Sequence, residues 1–237
     1  MSELVYLEDA YVRQFEARVE DCLDGGLILE RTAFYPGGGG QPCDLGTLSA
    51  AGRSWPVTKV QRISGKVVHF VDGRAPERGL LLQGSLDWQR RYQLMRTHTA
   101  MHILCGVIWR DYQSSVTGGN MDPLKGRMDF EFDTMHQDLV AKIEEAVNRE
   151  VDAARNIVVR TLPRDEAFEI PDLIRTKINL LPAGITEVRT VEIVGLDLQA
   201  DGGTHVRNTA EVGRINVVDY KSKGKINKRI YIELDQA

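Results

Sequence analysis

The sequence predicts an α+β protein in which a small N-terminal antiparallel β-barrel precedes a C-terminal α+β sandwich domain. Residues 1–87 hold about six short apolar or alternating stretches separated by turn residues, a pattern typical of a small barrel or sandwich. Residues 88–237 mix helical periodicity with strands in an irregular order. We therefore predict a barrel domain at residues 1–87 and a second domain at residues 88–237.

The strands of the first domain are predicted from alternation and from turn residues. Residues 14–20 alternate polar and apolar side chains, and Asp24, Gly25 and Gly26 are turn formers. Further strands are expected at residues 27–29, 57–60, 66–71 and 80–84.

In the second domain the apolar spacing changes to that of a helix. A helix with a broad apolar face begins near Asp87, and an amphipathic helix is expected over residues 139–151. The remaining predictions are strands at residues 125–133, 156–162, 186–194, 214–218 and 229–234, a helical turn at 164–168 and an irregular connection at 171–184.

Composition limits the class of protein. A chain of 237 residues with 42% hydrophobic content can bury a core, and a net charge of -4 excludes a broadly basic nucleic-acid-binding surface. Three cysteines do not make a disulfide framework, and no apolar run reaches membrane-spanning length. Acidic residues stand near the N-terminus where a signal peptide needs positive charge. We expect a soluble cytoplasmic protein without membrane contact, and the sequence does not determine its oligomeric state.

Two groups of residues predict a metal site. His98 and His102 are four residues apart in the predicted helix, so they lie on one face, one turn apart. Asp201 and His205 flank a Gly-Gly turn that lets both side chains point at one place. Three imidazoles and a carboxylate suit a divalent ion such as Zn²⁺. Thr99 stands where a zinc protease has its glutamate, so that class is excluded.

Four consecutive glycines, residues 37–40, interrupt the first domain. The stretch lacks the Gly-Lys-Ser/Thr of a P-loop. By composition it favours a flexible hairpin loop, and the alternative is that bare backbone approaches a ligand or a neighbouring domain.

Basic residues form one dense strip in an otherwise acidic chain. The strip favours an exposed, solvated hairpin tip, and the alternative is a contact with RNA phosphates. Arg90 and Arg91, beside Trp88 and Tyr92, are either a second RNA contact or a cap on the domain junction. We interpret His69 and His136 as structural. The strip comprises Lys221, Lys223, Lys225, Lys228 and Arg229.

Three motifs taken together resemble the alanyl-tRNA editing proteins, the free-standing relatives of the alanyl-tRNA synthetase editing domain. The motifs cover nearly the whole chain in order. They are Pro36–Pro42 with Asp44 and Gly46; Arg90-Arg91 through Met95 to His98–His102; and Asp201–Val206 with Thr209, Glu211 and Gly213.

The resemblance implies a Zn²⁺-dependent hydrolase, with one ion per chain, that removes serine or glycine from mischarged tRNA(Ala). It implies that His98, His102, Asp201 and His205 hold the metal, although the family usually has Cys at position 201. The glycine motif then faces the editing site, which makes Gly38, Gly39, Gly40 and Gln41 expected substrate contacts.

Other contacts complete the predicted site. A hydroxyl that bonds the side chain of serine discriminates against alanine. Ser114, Ser115 or Thr117 is the expected residue for this role, with Thr204 also at the substrate, although the sequence slightly favours ordinary turn residues before Gly118. The predicted tRNA contacts are Arg90, Arg91, Lys221, Lys223 and Lys225.

Three other functions compete with a tRNA(Ala) deacylase. The first is a non-catalytic tRNA-binding module, and the second is an editing domain like that of threonyl-tRNA synthetase. The third is a metal hydrolase for a small ester or amide. No general base is assigned.

Overall fold

A computed structural model describes residues 2–23, 25–175 and 184–236 of the chain. Contacts divide the chain into two compact units, Met1–Leu94 and Met95–Ala237. The domain division after residue 87 stays a proposal. Within the described part of the chain, no helix is both long and apolar enough to cross a membrane.

The first unit is built mainly of strands. Its described elements are β1 (Glu3–Leu4), α1 (Val5–Glu8), β2 (Gln14–Leu23), β3 (Gly26–Leu29), β4 (Arg31–Thr32), β5 (Gly46–Ala50), β6 (Arg53–Ile63), β7 (Lys66–Val71) and β8 (Leu81–Leu86). Six of these strands close an antiparallel barrel in the order β2-β3-β7-β6-β5-β8, which confirms the predicted barrel. In the predicted turn at residues 24–26, Asp24 lies outside the described residues, and Gly26 is the first residue of β3.

The barrel interior follows from the alternation along β2. Phe15, Ala17 and Val19 are buried, whereas Glu16 and Arg18 between them are exposed. A side chain at the position of Gly84 would overlap the ring of Phe15, so glycine permits this packing.

His69 is structural, as predicted. It is buried, with Nε2 2.8 Å from the Thr32 hydroxyl oxygen and Nδ1 3.1 Å from the Leu27 carbonyl oxygen. Its polar atoms are therefore satisfied inside the barrel.

The rest of the chain mixes helices and strands. Its described elements are α2 (Trp88–Tyr112), β9 (Val116–Asp122), β10 (Lys125–Glu131), α3 (Gln137–Asp152), β11 (Ile157–Pro163), α4 (Arg164–Phe168), β12 (Glu187–Ile193), β13 (Asp197–Ala200), a 3₁₀ turn (Thr209–Val212), β14 (Ile215–Ser222) and β15 (Asn227–Leu234). They form a four-stranded sheet, β14-β15-β10-β9, and a three-stranded sheet, β11-β12-β13. Every pairing in both sheets is antiparallel.

Capping residues set where both long helices begin. The Asp87 carboxylate accepts a hydrogen bond from the Arg90 N–H ahead of α2, and His136 accepts one from the Leu139 N–H ahead of α3. Both helices and the structural role of His136 were predicted. The sequence did not predict β9, β13 or the 3₁₀ turn, and most of the predicted connection at 171–184 lies outside the described residues.

Candidate metal centre

Helix α2 brings two histidines to one buried face. His98 and His102 are 5% and 7% exposed, and their ring centroids are 5.1 Å apart. Around them the helix is buried on all sides from Leu94 to Ile108, so these imidazoles are polar groups within an apolar core. Such groups need a partner of opposite polarity or a ligand.

The turn after β13 supplies that partner. The ring of His205 lies 4.2 Å from that of His98 and 4.7 Å from that of His102, centroid to centroid. One ligand atom each from His98, His102, Asp201 and His205 lies within 4.8 Å of all the others. The structure thus brings together all four predicted metal ligands, and this cluster could hold a metal ion.

The carboxylate of Asp201 lies between the imidazoles. Its Oδ2 is 3.0 Å from Nε2 of His205, and its Oδ1 is 3.7 Å from Nε2 of His98. Oδ2 also accepts the N–H of Gly203 at 2.8 Å, so the Gly-Gly turn fixes the carboxylate. The guanidinium of Arg189 donates to the Asp201 backbone carbonyl at 2.8 Å and lies 3.9 Å from Oδ2.

The opposite ring nitrogens of two histidines are engaged by other groups. Nδ1 of His102 is 3.1 Å from Oδ2 of Asp197, and Nδ1 of His205 is 3.1 Å from the hydroxyl oxygen of Thr99. Nε2 of His102 is therefore the nitrogen left for the cluster, and Nε2 of His205 contacts Asp201 within it. The sequence analysis missed both partners. The position of Thr99 between the two helix histidines is a signal that its hydroxyl lies near the site. No spacing in the sequence identifies Asp197 as a partner of His102.

Burial and charge set the protonation of the cluster. Burial lowers the pKa of His205 to about 4 and holds the pKa of His98 well below its usual value. Burial alone would lower the pKa of His102 as well, but the hydrogen bond to Asp197 and the charge of that carboxylate raise it. Burial opposes ionisation of Asp201, yet the imidazole of His98 and the hydrogen bond from His205 hold its pKa well below the usual range. The low pKa values leave His98 and His205 neutral beside the Asp201 carboxylate, which are donors that suit a divalent cation, and metal binding would displace a proton from His102.

The glycine motif forms a hydrogen-bonded turn in the first unit. Gly37, Gly38, Gly39 and Gly40 all have positive φ, from 58° to 139°, a region that disfavours any other residue. Gly38 and Gln41 exchange backbone hydrogen bonds of 3.0 and 2.9 Å. The hairpin expected from composition is present as a hydrogen-bonded turn, and contact of Gly38, Gly39, Gly40 and Gln41 with substrate stays a prediction.

Of the residues predicted to bond the serine side chain, Ser114 and Ser115 lie just before β9 and Thr117 lies within it. The hydroxyl of buried Ser114 donates to the carbonyl of Glu131, and that of Thr117 donates to Asn227 Oδ1 at 2.9 Å. Both hydroxyl protons are thus used within the protein. Thr204 is fully buried beside His205. Substrate contacts of Ser114, Ser115, Thr117 and Thr204 stay predictions.

The prediction that Arg91 contacts tRNA is wrong. Its side chain is 0% exposed and ion-paired with the buried carboxylate of Asp44. Its guanidinium also donates to the carbonyl of Ala10 at 2.8 Å and to that of Ala33. Arg91 is a structural residue of the first unit. Arg90 is half-buried and lies 3.4 Å from the Cys43 carbonyl oxygen, and its contact with tRNA stays a prediction.

The basic strip spans a β-hairpin, as expected, but is not confined to its tip, because β14 continues to Ser222 and β15 begins at Asn227. Lys228 is buried and donates to two tip carbonyls at 2.9 Å. Arg229 is ion-paired with Asp129 at 2.6 Å, and Lys221 lies 2.9 Å from Asp219. Lys223 and Lys225 are exposed at the tip, and the tRNA role of this hairpin stays a prediction.

Two family models match parts of the chain. Residues 5–90 match the family described as tRNA synthetases class II (A). Residues 188–231, which include Asp201 and His205, match the threonyl and alanyl tRNA synthetase second additional domain.

Individual proteins match over much longer stretches. The chain is 37% identical over 240 residues to the alanyl-tRNA editing protein AlaX-M of Saccharolobus solfataricus, covering 98% of each chain. It is 35% identical to the protein of that name from Methanosarcina barkeri, covering 99% of each. It is also 40% identical over 226 residues to the alanine–tRNA ligase of Pyrobaculum neutrophilum, covering 91% of this chain and 25% of the ligase. With this identity over nearly its full length, the chain belongs to the alanyl-tRNA editing protein family.

Proposed function

We propose that this protein is a trans-editing hydrolase that deacylates tRNA(Ala) carrying serine or glycine. The observation that carries the proposal is the buried cluster of His98, His102, Asp201 and His205. The relatives that are named alanyl-tRNA editing proteins align with this chain over 98–99% of their length. This correspondence favours action in trans, on tRNA that a separate enzyme has charged.

The metal we propose is a single Zn²⁺. Imidazole nitrogen and carboxylate oxygen are both zinc donors, and four ligands are the usual number at a closed zinc site. If Asp201 leaves the ion, three histidines and an open position resemble a catalytic zinc site. In either case the ion would be held by His98, His102 and His205.

The reaction adds water across the aminoacyl ester, releasing the amino acid and leaving a hydroxyl on the tRNA. A zinc ion bound at the cluster supplies a Lewis acid that favours attack on the ester carbonyl. The chain supplies the rest. Its apolar core around α2 lowers the local dielectric, which strengthens every charge interaction at the site. The Gly203 N–H and the guanidinium of Arg189 keep Asp201 in place.

Recognition of serine would rest on hydroxyl groups that accept a hydrogen bond. Ser114 and Thr117 already donate their protons, so each hydroxyl oxygen can only accept from a substrate hydroxyl. A substrate that carries alanine has no such donor, and this difference would discriminate the two.

The tRNA would be held through its phosphates by the hairpin tip. Lys223 and Lys225 are exposed there, and Lys221 adds a third cation beside Asp219. An acidic chain needs such a local positive surface to bind a polyanion.

The test is hydrolysis of seryl-tRNA(Ala) by wild type and by the variant His98→Ala. We expect wild type to hydrolyse seryl-tRNA(Ala) much faster than alanyl-tRNA(Ala), and His98→Ala to lose this activity because one of three imidazole ligands is removed. The control is His136→Asn, which removes an exposed histidine and keeps a capping side chain. Binding of tRNA(Ala) by wild type without any turnover would instead make the protein a non-catalytic tRNA-binding module.

A further inference from the structure

Asp197, the first residue of β13, is a fully buried carboxylate that contacts a residue of the cluster. Its side chain is 0% exposed, and Oδ2 lies 3.1 Å from Nδ1 of His102. An ionised carboxylate can only accept hydrogen bonds. The hydrogen in this contact must therefore be on Nδ1 of His102.

Asp197 is itself held in place. Gln199 Nε2 donates to the same Oδ2 at 2.7 Å and lies 3.3 Å from Cys105 Sγ on helix α2. On the other side of the carboxylate, Nε of Arg175 lies 3.7 Å from Oδ1. The guanidinium of Arg175 also lies 4.7 Å from the ring centroid of Trp109. The carboxylate is thus fixed by an amide and balanced by a guanidinium.

A glycine in α2 permits this close approach. A Cβ at Gly106 would lie 2.9 Å from Leu196 Cγ, closer than real Cβ contacts, and 3.0 Å from Asp197 Cβ, which is tighter than most of them. Gly106 is one turn after His102 in the helix. A glycine in the middle of a long helix destabilises the helix by roughly 1 kcal/mol relative to alanine. At position 106 the absence of a side chain lets β13 approach the helix closely enough for Asp197 to contact His102.

We propose that Asp197 is a positioning residue that fixes the tautomer and ring orientation of His102, so that Nε2 presents its lone pair to the metal ion. The proposal rests on the proposed metal-dependent function. A carboxylate that accepts the second N–H of a metal-bound histidine both orients the ring and makes it a stronger ligand.

The partner of His205 differs in a way that supports this assignment. The Asp201 carboxylate accepts from Nε2 of His205, so that ring carries its proton on the nitrogen that faces the cluster, and the Thr99 hydroxyl donates to its Nδ1. Asp197 is compatible with only one tautomer of His102. Of these two histidines, His102 is therefore the one whose carboxylate partner holds the proton on Nδ1 and leaves the lone pair of Nε2 for the metal.

The test uses the full chain and two measurements. Long-range ¹H–¹⁵N NMR on metal-free, ¹⁵N-histidine-labelled protein at alkaline pH identifies which nitrogen of His102 carries the proton. Competition with a chromophoric chelator gives the Kd for Zn²⁺. Both are made on wild type, on Asp197→Asn and on the control Thr190→Val, which removes a buried hydroxyl that donates to Arg160 in the same sheet.

We expect wild-type His102 to be protonated on Nδ1. In Asp197→Asn the amide can turn its NH₂ toward the ring, so the Nε2–H tautomer should gain population and zinc affinity should fall by about 10- to 100-fold. Thr190→Val should change neither quantity.

Three outcomes would overturn the proposal. Wild-type His102 protonated on Nε2 would do so without any variant, even where Asp197→Asn fails to fold. If Asp197→Asn keeps both the zinc affinity and the His102 tautomer of wild type, Asp197 is only an ion-pair partner of Arg175. If Thr190→Val loses as much zinc affinity as Asp197→Asn, the loss reflects general damage to the sheet. If wild type fails to bind Zn²⁺, the proposed metal-dependent function is contradicted. The NMR measurement is made without metal, so it still tests whether Asp197 fixes the tautomer of His102.

Discussion

Asp201 places a carboxylate where the resemblance leads one to expect a cysteine. Its carboxylate faces Nε2 of both His98 and His205 and accepts the Gly203 N–H. An oxygen donor is harder than a thiolate, so it favours zinc less strongly over other divalent ions. The Asp201 side chain is nevertheless positioned to contact the metal, because Asp201 and His205 belong to the same turn.

The variant Asp201→Cys tests whether position 201 contacts the ion. We expect tighter Zn²⁺ binding than wild type, because thiolate is a softer and stronger zinc ligand than carboxylate. Asp201→Ser, which has a similar size and is a poor ligand, is the matched control and should bind more weakly than wild type. The measurement is Kd by chelator competition. Equal affinity of all three proteins would mean that residue 201 does not ligate the metal.

His69 makes the stability of the barrel depend on pH. Burial lowers its pKa from 6.5 to about 4 in the folded protein. Between these values the unfolded chain binds a proton that the folded chain does not, so stability is fully present above pH 6.5 and falls as the pH drops toward 4. Lowering the pH from 7.5 to 5 should remove about 2 kcal/mol through this residue alone.

Urea unfolding of wild type and His69→Asn at these two pH values measures that contribution. The variant is less stable at pH 7.5 because it loses buried contacts, but it should lose about 2 kcal/mol less than wild type between pH 7.5 and pH 5. His136→Asn, which replaces an exposed histidine, should keep the pH dependence of wild type. Identical pH dependence in all three proteins would contradict the buried, neutral state of His69.

At the scale of elements, the hairpin of β14 and β15 carries the proposed tRNA contact. Replacing Lys223 and Lys225 by Ser should raise KM and flatten the salt dependence of binding by about 0.7–0.9 log-log units per lost phosphate contact. Single-turnover hydrolysis at saturating enzyme should stay close to wild type.

The control for the hairpin variant is Lys66→Ser with Lys142→Ser. It removes the same charge from exposed positions on β7 and α3. If this control weakens binding as much as the hairpin variant, net charge explains the effect and the hairpin has no special role. A collapse of the saturated single-turnover rate in the hairpin variant would place the tip in the active site.

The sequence predicted the elements whose pattern is local. Strand patterns and turn residues predicted five of the six barrel strands and missed β5. The three- and four-residue spacing of apolar residues predicted α3, and the four-residue spacing placed His98 and His102 on one helix face. Short strands such as β13 were missed because four residues carry too little pattern.

Contacts between distant residues were not predictable in this way. Arg91 is surrounded by polar and aromatic residues in sequence and looks exposed, yet Asp44, 47 residues away, makes burial of its guanidinium favourable. Asp197 reaches His102 across 95 residues, and the packing at Gly106 decides that contact. Such pairs depend on tertiary packing, on which local periodicity carries no information.

At the scale of the whole molecule, one acidic chain combines a strand barrel with an α+β unit that holds the candidate metal cluster. It aligns with editing proteins from end to end. We therefore propose that this chain hydrolyses an aminoacyl ester on tRNA(Ala) and needs a metal ion at the cluster to do so.

The most direct test is single-turnover hydrolysis of seryl-tRNA(Ala) by metal-stripped protein titrated with Zn²⁺. We predict negligible hydrolysis without metal, a rate that rises with added zinc and saturates at one ion per chain, and no such response in His98→Ala. Full activity of the metal-stripped protein, or a metal-loaded protein that leaves seryl-tRNA(Ala) intact, would contradict the account.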